Sequence, residues 1–188
     1  AHVERGLPSY THCCQHSGLS NVTPEDREGR LAFVFVRHPL TYYQSWWAFK
    51  MQYGWNHNDL FDMCCRRETF PAFVQAVLEN YPGWVSRGYA GHVVRDDIDF
   101  VGKCEYLADD LISALRQAGE EFDEAIVRSV PKVNQISTLP LWDKLCGFTT
   151  ELAVLVSESE HDAIRRFGYA EVPLLPITSS ELLARVST

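Results

Sequence analysis

The run of apolar and polar positions divides the chain into two strand-like segments and a succession of helical ones. Leu31 to Val36 is a nearly continuous apolar run, β-branched at Val34 and Val36, which predicts a buried strand of the parallel type. Pro39 suits a first helical turn, so a helix is expected from Leu40 to about Tyr53, stopped by Gly54. Its aromatic residues, among them Tyr42, Tyr43, Trp46, Trp47 and Phe49, ring more than one face, which predicts a helix packed on two sides. Gly54 to Glu68, rich in Asn, Asp, Cys and Arg, reads as a surface loop or lid. Thr69 is placed to cap a helix through Tyr81, with an apolar stripe of Phe70, Phe73, Val74, Val77 and Leu78, and Pro82 and Gly83 stop it.

Trp84 to Tyr89 fits another short helix, and Ile98 to Cys104 is the second core strand. Leu107, Leu111 and Leu115 recur at helical spacing, giving a helix from about Tyr106 to Ala118 before Gly119. A short charged helix is expected within Glu120 to Val130, and one or two helices from Thr149 to Phe167, ended by Gly168. Thr23, Pro24, Glu25 and Asp26 form a capping-type helix start. Ser9 to Gln15 suits a strand that delivers His16 to the sheet's carboxyl edge, with His12 on the same face. The residues after Tyr169 are broken by prolines and end in a short helical stretch. Strands separated by helices predict an α/β fold with a parallel central sheet, and 188 residues, 46% of them hydrophobic, suit one domain.

Charge and cysteine usage narrow the function classes. A formal charge of −8 argues against a general binder of nucleic acid or of an anionic membrane, both of which need a basic face. No apolar run approaches the ~20 residues that cross a bilayer, and no signal-peptide pattern opens the chain, so a cytoplasmic location is expected. The six cysteines include the adjacent pairs Cys13–Cys14 and Cys64–Cys65, which do not form a disulfide framework; reduced thiols are expected. His12, Cys13, Cys14 and His16 lie close in sequence but lack the spacing of a structural zinc site, so no metal is expected.

The chemistry centres on Arg37. It stands at the carboxyl end of the first strand, just before a helix amino terminus, and in open α/β sheets that crevice binds ligands, anions especially. Ser45 lies on the same side of the helix as Thr41, and its hydroxyl can point back toward Arg37. A guanidinium that forks onto two oxygens, with a hydroxyl for a third, suits a phosphate monoester. The same residues also fit a plain strand end, with Arg37 and Ser45 solvated. Arg66 and Arg67 are either an attractant for an acidic glycan or a solvated pair.

The segment RHPLTYYQSWW, Arg37 to Trp47, resembles the 3′-phosphate-binding motif of sulfotransferases that use 3′-phosphoadenosine 5′-phosphosulfate (PAPS). IDFVGKCEYLADDL, Ile98 to Leu111, is similar to a strand-then-helix segment of the bacterial and carbohydrate-type members. PKVNQ from Pro131 and AIRRFGY from Ala163 follow in the family's order. The resemblance spans roughly Tyr10 to Tyr169 and implies a three-layer α/β/α fold of the nucleotide-kinase-like kind. It also implies sulfuryl transfer from PAPS to a hydroxyl of a carbohydrate or other small acceptor. Arg37 and Ser45 would be the 3′-phosphate ligands and His16 the catalytic base, with Lys132 and Asn134 near the donor or acceptor. The family's 5′-phosphosulfate loop has no counterpart in the sequence. The domain is therefore expected to be amino-terminally incomplete; a catalytically inactive nucleotide- or glycan-binding relative is the alternative. The acceptor and the oligomeric state stay open.

Overall fold

The computed structural model describes residues 23–93, 98–131 and 146–169. The chain divides after Arg30 into two units. In the first, the described part holds one short helix, α1 (Pro24–Arg27), begun by the proline as its sequence predicts.

The second unit, Leu31–Thr188, is of the α/β kind. Strands β1 (Phe33–Val36) and β2 (Phe100–Lys103) pair in parallel, Phe33 opposite Phe100 and Val36 opposite Lys103. The parallel pairing agrees with the expectation from the apolar run. The burial agrees only at the carboxyl end, where Val36 is 1% exposed while Phe33 is 43% exposed. Gly102 lets the strands approach: a Cβ there would lie 2.5 Å from Cε1 of Phe35 and 3.0 Å from Cβ of Asp110. The amino end is tied by Asp99, whose carboxylate accepts from Ala32 N–H at 2.8 Å.

Between the strands run α2 (Pro39–Tyr53), α3 (Leu60–Cys65), α4 (Phe70–Asn80) and α5 (Trp84–His92). After β2, a 3-10 turn (Cys104–Tyr106) leads into α6 (Leu107–Gln117), followed by α7 (Glu124–Ser129), α8 (Thr150–Ser159) and α9 (His161–Arg166). The main core forms where α2, α4 and α8 meet, through Leu40, Tyr43, Trp47, Phe70, Phe73 and Val156. A smaller core holds Val36, Val93, Ile164 and Tyr169. Helix α2 is packed on two sides, as its ring of aromatics predicts. Tyr43 and Trp47 are buried, while Tyr42 and Trp46 meet Trp84 edge-on at 5.3 and 5.4 Å.

Two local expectations are corrected. The stretch read as a loop from Gly54 to Glu68 contains α3, because Asp59 caps it through Asp62 N–H and Phe61 and Cys65, four residues apart, turn inward onto the aromatic core. Asp62 itself is buried, and its Oδ2 accepts from Lys50 Nζ at 2.6 Å and from Asn56 N–H at 2.7 Å. Thr69 occupies the N-cap of α4, but its side chain makes no capping hydrogen bond.

The entry to α5 is held from a distance. Gly83 precedes it with φ +67°, a left-handed conformation that suits glycine, and glycine has no side chain with which to cap the helix. The missing acceptors come from the α8–α9 junction. Ser159 Oγ accepts from Gly83 N–H, and the buried Glu160 carboxylate accepts from Val85 N–H, Ser86 N–H, Ser86 Oγ–H and Tyr43 Oη–H at 2.8–3.1 Å. A carboxylate at a helix amino terminus is also favoured by the helix dipole.

Candidate functional site

The carboxyl ends of the two strands bring Arg37 and His38 beside Lys103, Cys104 and Glu105. Arg37 is half-buried. Its guanidinium lies next to Cys104 and near Tyr42: burial pushes the Cys104 thiol above its ordinary range, and the Arg37 charge pulls it partly back. Tyr42 shows the same balance, raised by burial and lowered by Arg37. Among the described residues no carboxylate forms an ion pair with Arg37.

The turn from β1 into α2 has its backbone groups met by side chains. Tyr89 Oη accepts from Arg37 N–H at 2.8 Å and donates to the Arg37 carbonyl at 2.9 Å. Glu105 Oε1 accepts from His38 N–H at 2.8 Å, and Glu105 Oε2 accepts from Tyr169 Oη–H at 3.3 Å. His38 is buried, and its Nδ1 accepts from Leu40 N–H at 3.2 Å. This alters the expectation for the helix terminus. Pro39 has no N–H and that of Leu40 is already bonded, so the first two residues of α2 offer no free amide to an anion.

Lys103, a second cation at this edge, is engaged. Its ammonium donates to Gly168 O at 3.2 Å and sits over the Tyr169 ring, 4.7 Å from the centroid. Tyr169 also meets His38 edge-on at 4.9 Å, so a residue three positions past α9 packs against the turn from β1 into α2.

Ser45 lies in α2, two turns beyond Arg37, and is half-buried; among the described residues no hydrogen bond joins the two. The structure thus places Arg37 just past β1 and Ser45 within α2, with no hydrogen bond between them. His16, the expected base, lies outside the described residues, as do His12, Cys13, Cys14, Lys132 and Asn134. The Arg67 guanidinium donates to the carbonyls of Cys64 and Arg66. Cys64 and Cys65 diverge, Cys64 exposed and Cys65 buried with its thiol 3.8 Å from Ala76 O. Among the described residues no group of three or more His, Cys, Asp or Glu is arranged to hold a metal ion.

Sequence reasoning missed Tyr89, which is one aromatic among many in the chain. Glu105 and Tyr169 lie inside the segments EYLADD and RRFGY already singled out, so that signal was present without the role. No family model matches the chain, and neither a curated protein nor a solved structure matches it significantly. Among the described residues no helix is long and apolar enough to cross a membrane.

Proposed function

We propose that the chain belongs to a PAPS-dependent sulfotransferase, with the finer architecture of a three-layer, nucleotide-kinase-like α/β domain. The observation that carries the reading is Arg37. It is a half-buried guanidinium at the carboxyl end of a parallel strand, beside Tyr42 and Cys104, with no ion-paired carboxylate among the described residues. An arginine so placed is suited to a bidentate contact with a phosphate.

Arg37 and Ser45 would hold the 3′-phosphate and set the register of the donor. The acceptor hydroxyl oxygen attacks sulfur, the bond from sulfur to the bridging phosphate oxygen breaks, and the acceptor proton passes to His16. The products are a sulfate ester and 3′-phosphoadenosine 5′-phosphate. A neutral histidine can take that proton near neutral pH. The leaving phosphate gains charge and needs a cation close to it.

Calorimetric titration with 3′-phosphoadenosine 5′-phosphate against adenosine 5′-phosphate tests the donor site. Tight binding is expected to need the 3′-phosphate. Arg37→Ala should cost about 1.5–3 kcal/mol, roughly 10- to 150-fold in affinity, and Ser45→Ala less. Binding indifferent to the 3′-phosphate and to Arg37 would overturn the reading.

A further inference from the structure

We infer that Tyr89 is a positioning residue for Arg37: its phenol, rooted in α5, fixes the Arg37 peptide and thereby the direction in which the guanidinium leaves the strand end. The inference rests on the reading of Arg37 as a phosphate ligand for its consequence in binding, and on the hydrogen bonds alone for the clamp itself.

The strand ladder stops one residue before Arg37, at the pair Val36 and Lys103. Past that point the ladder no longer dictates the backbone. Here one oxygen takes over, accepting from the Arg37 N–H and donating to the Arg37 carbonyl. A phenol has one proton to give and lone pairs to receive with, so Tyr89 satisfies both backbone groups of a single residue. Burial raises the Tyr89 pKa above its ordinary value, which keeps the donor proton in place at neutral pH.

The clamp is stiff because the ring is wedged. Tyr42 meets it edge-on at 6.2 Å and Phe167 at 5.5 Å, one from α2 and the other from the end of α9. The helix that carries it is pinned at its first turn by Ser159 and Glu160. The next amide, His38 N–H, is held by Glu105. A side chain fixed at its own backbone loses less freedom when it binds, and small displacements of a binding group cost affinity.

The test compares Tyr89→Phe with Asp62→Ala, which removes a buried carboxylate bonded to Lys50 and Asn56 and touches none of the groups that bond the Arg37 junction. Hydrogen exchange at the Arg37 amide and the nuclear magnetic resonance signal of its Nε–H report the clamp without any nucleotide. Tyr89→Phe is expected to speed exchange at Arg37 by about tenfold more than at Val36 and to average the Nε–H signal. It is also expected to weaken 3′-phosphoadenosine 5′-phosphate by about tenfold while sparing adenosine 5′-phosphate. Asp62→Ala is expected to lower stability and change neither. Equal effects of the two variants, or an Arg37 amide unchanged in Tyr89→Phe, overturn the inference. If Tyr89→Phe does not fold, the unmodified protein decides: an Arg37 amide that exchanges as fast as a solvated one overturns the clamp. Loosening of Arg37 in a protein whose nucleotide binding ignores the 3′-phosphate upholds the clamp and sinks the phosphate reading.

Discussion

Replacing Glu160 by glutamine removes one carboxylate oxygen from a site where every lone pair is in use. Oε1 accepts from Tyr43 Oη–H and Val85 N–H, and Oε2 from the N–H and the hydroxyl of Ser86. The hydroxyls of Tyr43 and Ser86 can rotate to face an incoming NH2 group, but the amides cannot. Whichever oxygen is replaced, one amide in the first turn of α5 is left facing another N–H, the Val85 amide buried or the Ser86 amide part-buried. Orphaning that donor costs about 1–3 kcal/mol, and loss of the negative charge weakens the remaining bonds, so the total should be about 2–4 kcal/mol. With a urea slope of roughly 1–3 kcal/mol/M, the unfolding midpoint should fall by roughly 1–2 M. Glu158→Gln, an exposed neighbour on α8, should stay within about 0.5 kcal/mol. Amides of α5 should also lose protection from exchange before those of α4. A midpoint for Glu160→Gln within about 0.3 M of the unmodified protein would refute the claim that α5 is capped from α8 and α9.

Gly102→Ala should cost about 1–3 kcal/mol in urea unfolding, because the added methyl meets the Phe35 ring and Asp110; adding Phe35→Ala should cost less than the two single changes summed, and strict additivity would show the contact is not the cause. Burial pushes the Cys65 and Cys146 thiols up to about 12, well above the ~8.5 of an unfolded chain. Their contribution to stability is therefore fully present below about pH 8.5 and is lost as pH rises toward 12, at up to about 1.4 kcal/mol per thiol per pH unit. Urea midpoints measured from pH 8 to 10 should fall, and fall less steeply in Cys65→Ala and Cys146→Ala; an unchanged slope would contradict the burial argument. In the folded protein at pH 8, iodoacetamide should label Cys64 and spare Cys65 and Cys146, as read by mass spectrometry.

What was legible in the sequence is what depends on neighbours along the chain. The apolar runs marked both strands, and Pro39, Gly54, Pro82, Gly119 and Gly168 marked helix ends to within a residue or two, since proline and glycine act through local backbone geometry. Arg37 was legible for the same reason, being one step past a strand and two before a proline. The helix α3 was not, because Asp59, Phe61 and Cys65 look like loop composition until α4 and Trp84 give them something to pack on. Nor were the groups that hold Arg37. Tyr89 lies 52 residues from it, Glu105 lies 67 from His38, and Glu160 lies 74 from Ser86. Nothing in the local pattern separates such an aromatic or an acid from one that merely fills a core or faces water. Those three residues nevertheless form a connected support. Glu160 secures the start of α5, α5 carries Tyr89, and Tyr89 with Glu105 fixes the two residues where β1 becomes α2. A change at the α8–α9 junction that spares Tyr43, such as loss of the Ser159 hydroxyl that accepts from Gly83 N–H, should therefore reach Arg37 through α5 before it reaches Ser45, whose own helix is held by the Tyr43 and Trp47 core. Comparing Arg37 and Ser45 amide exchange in Ser159→Ala would separate this route from general loosening, which would speed both alike.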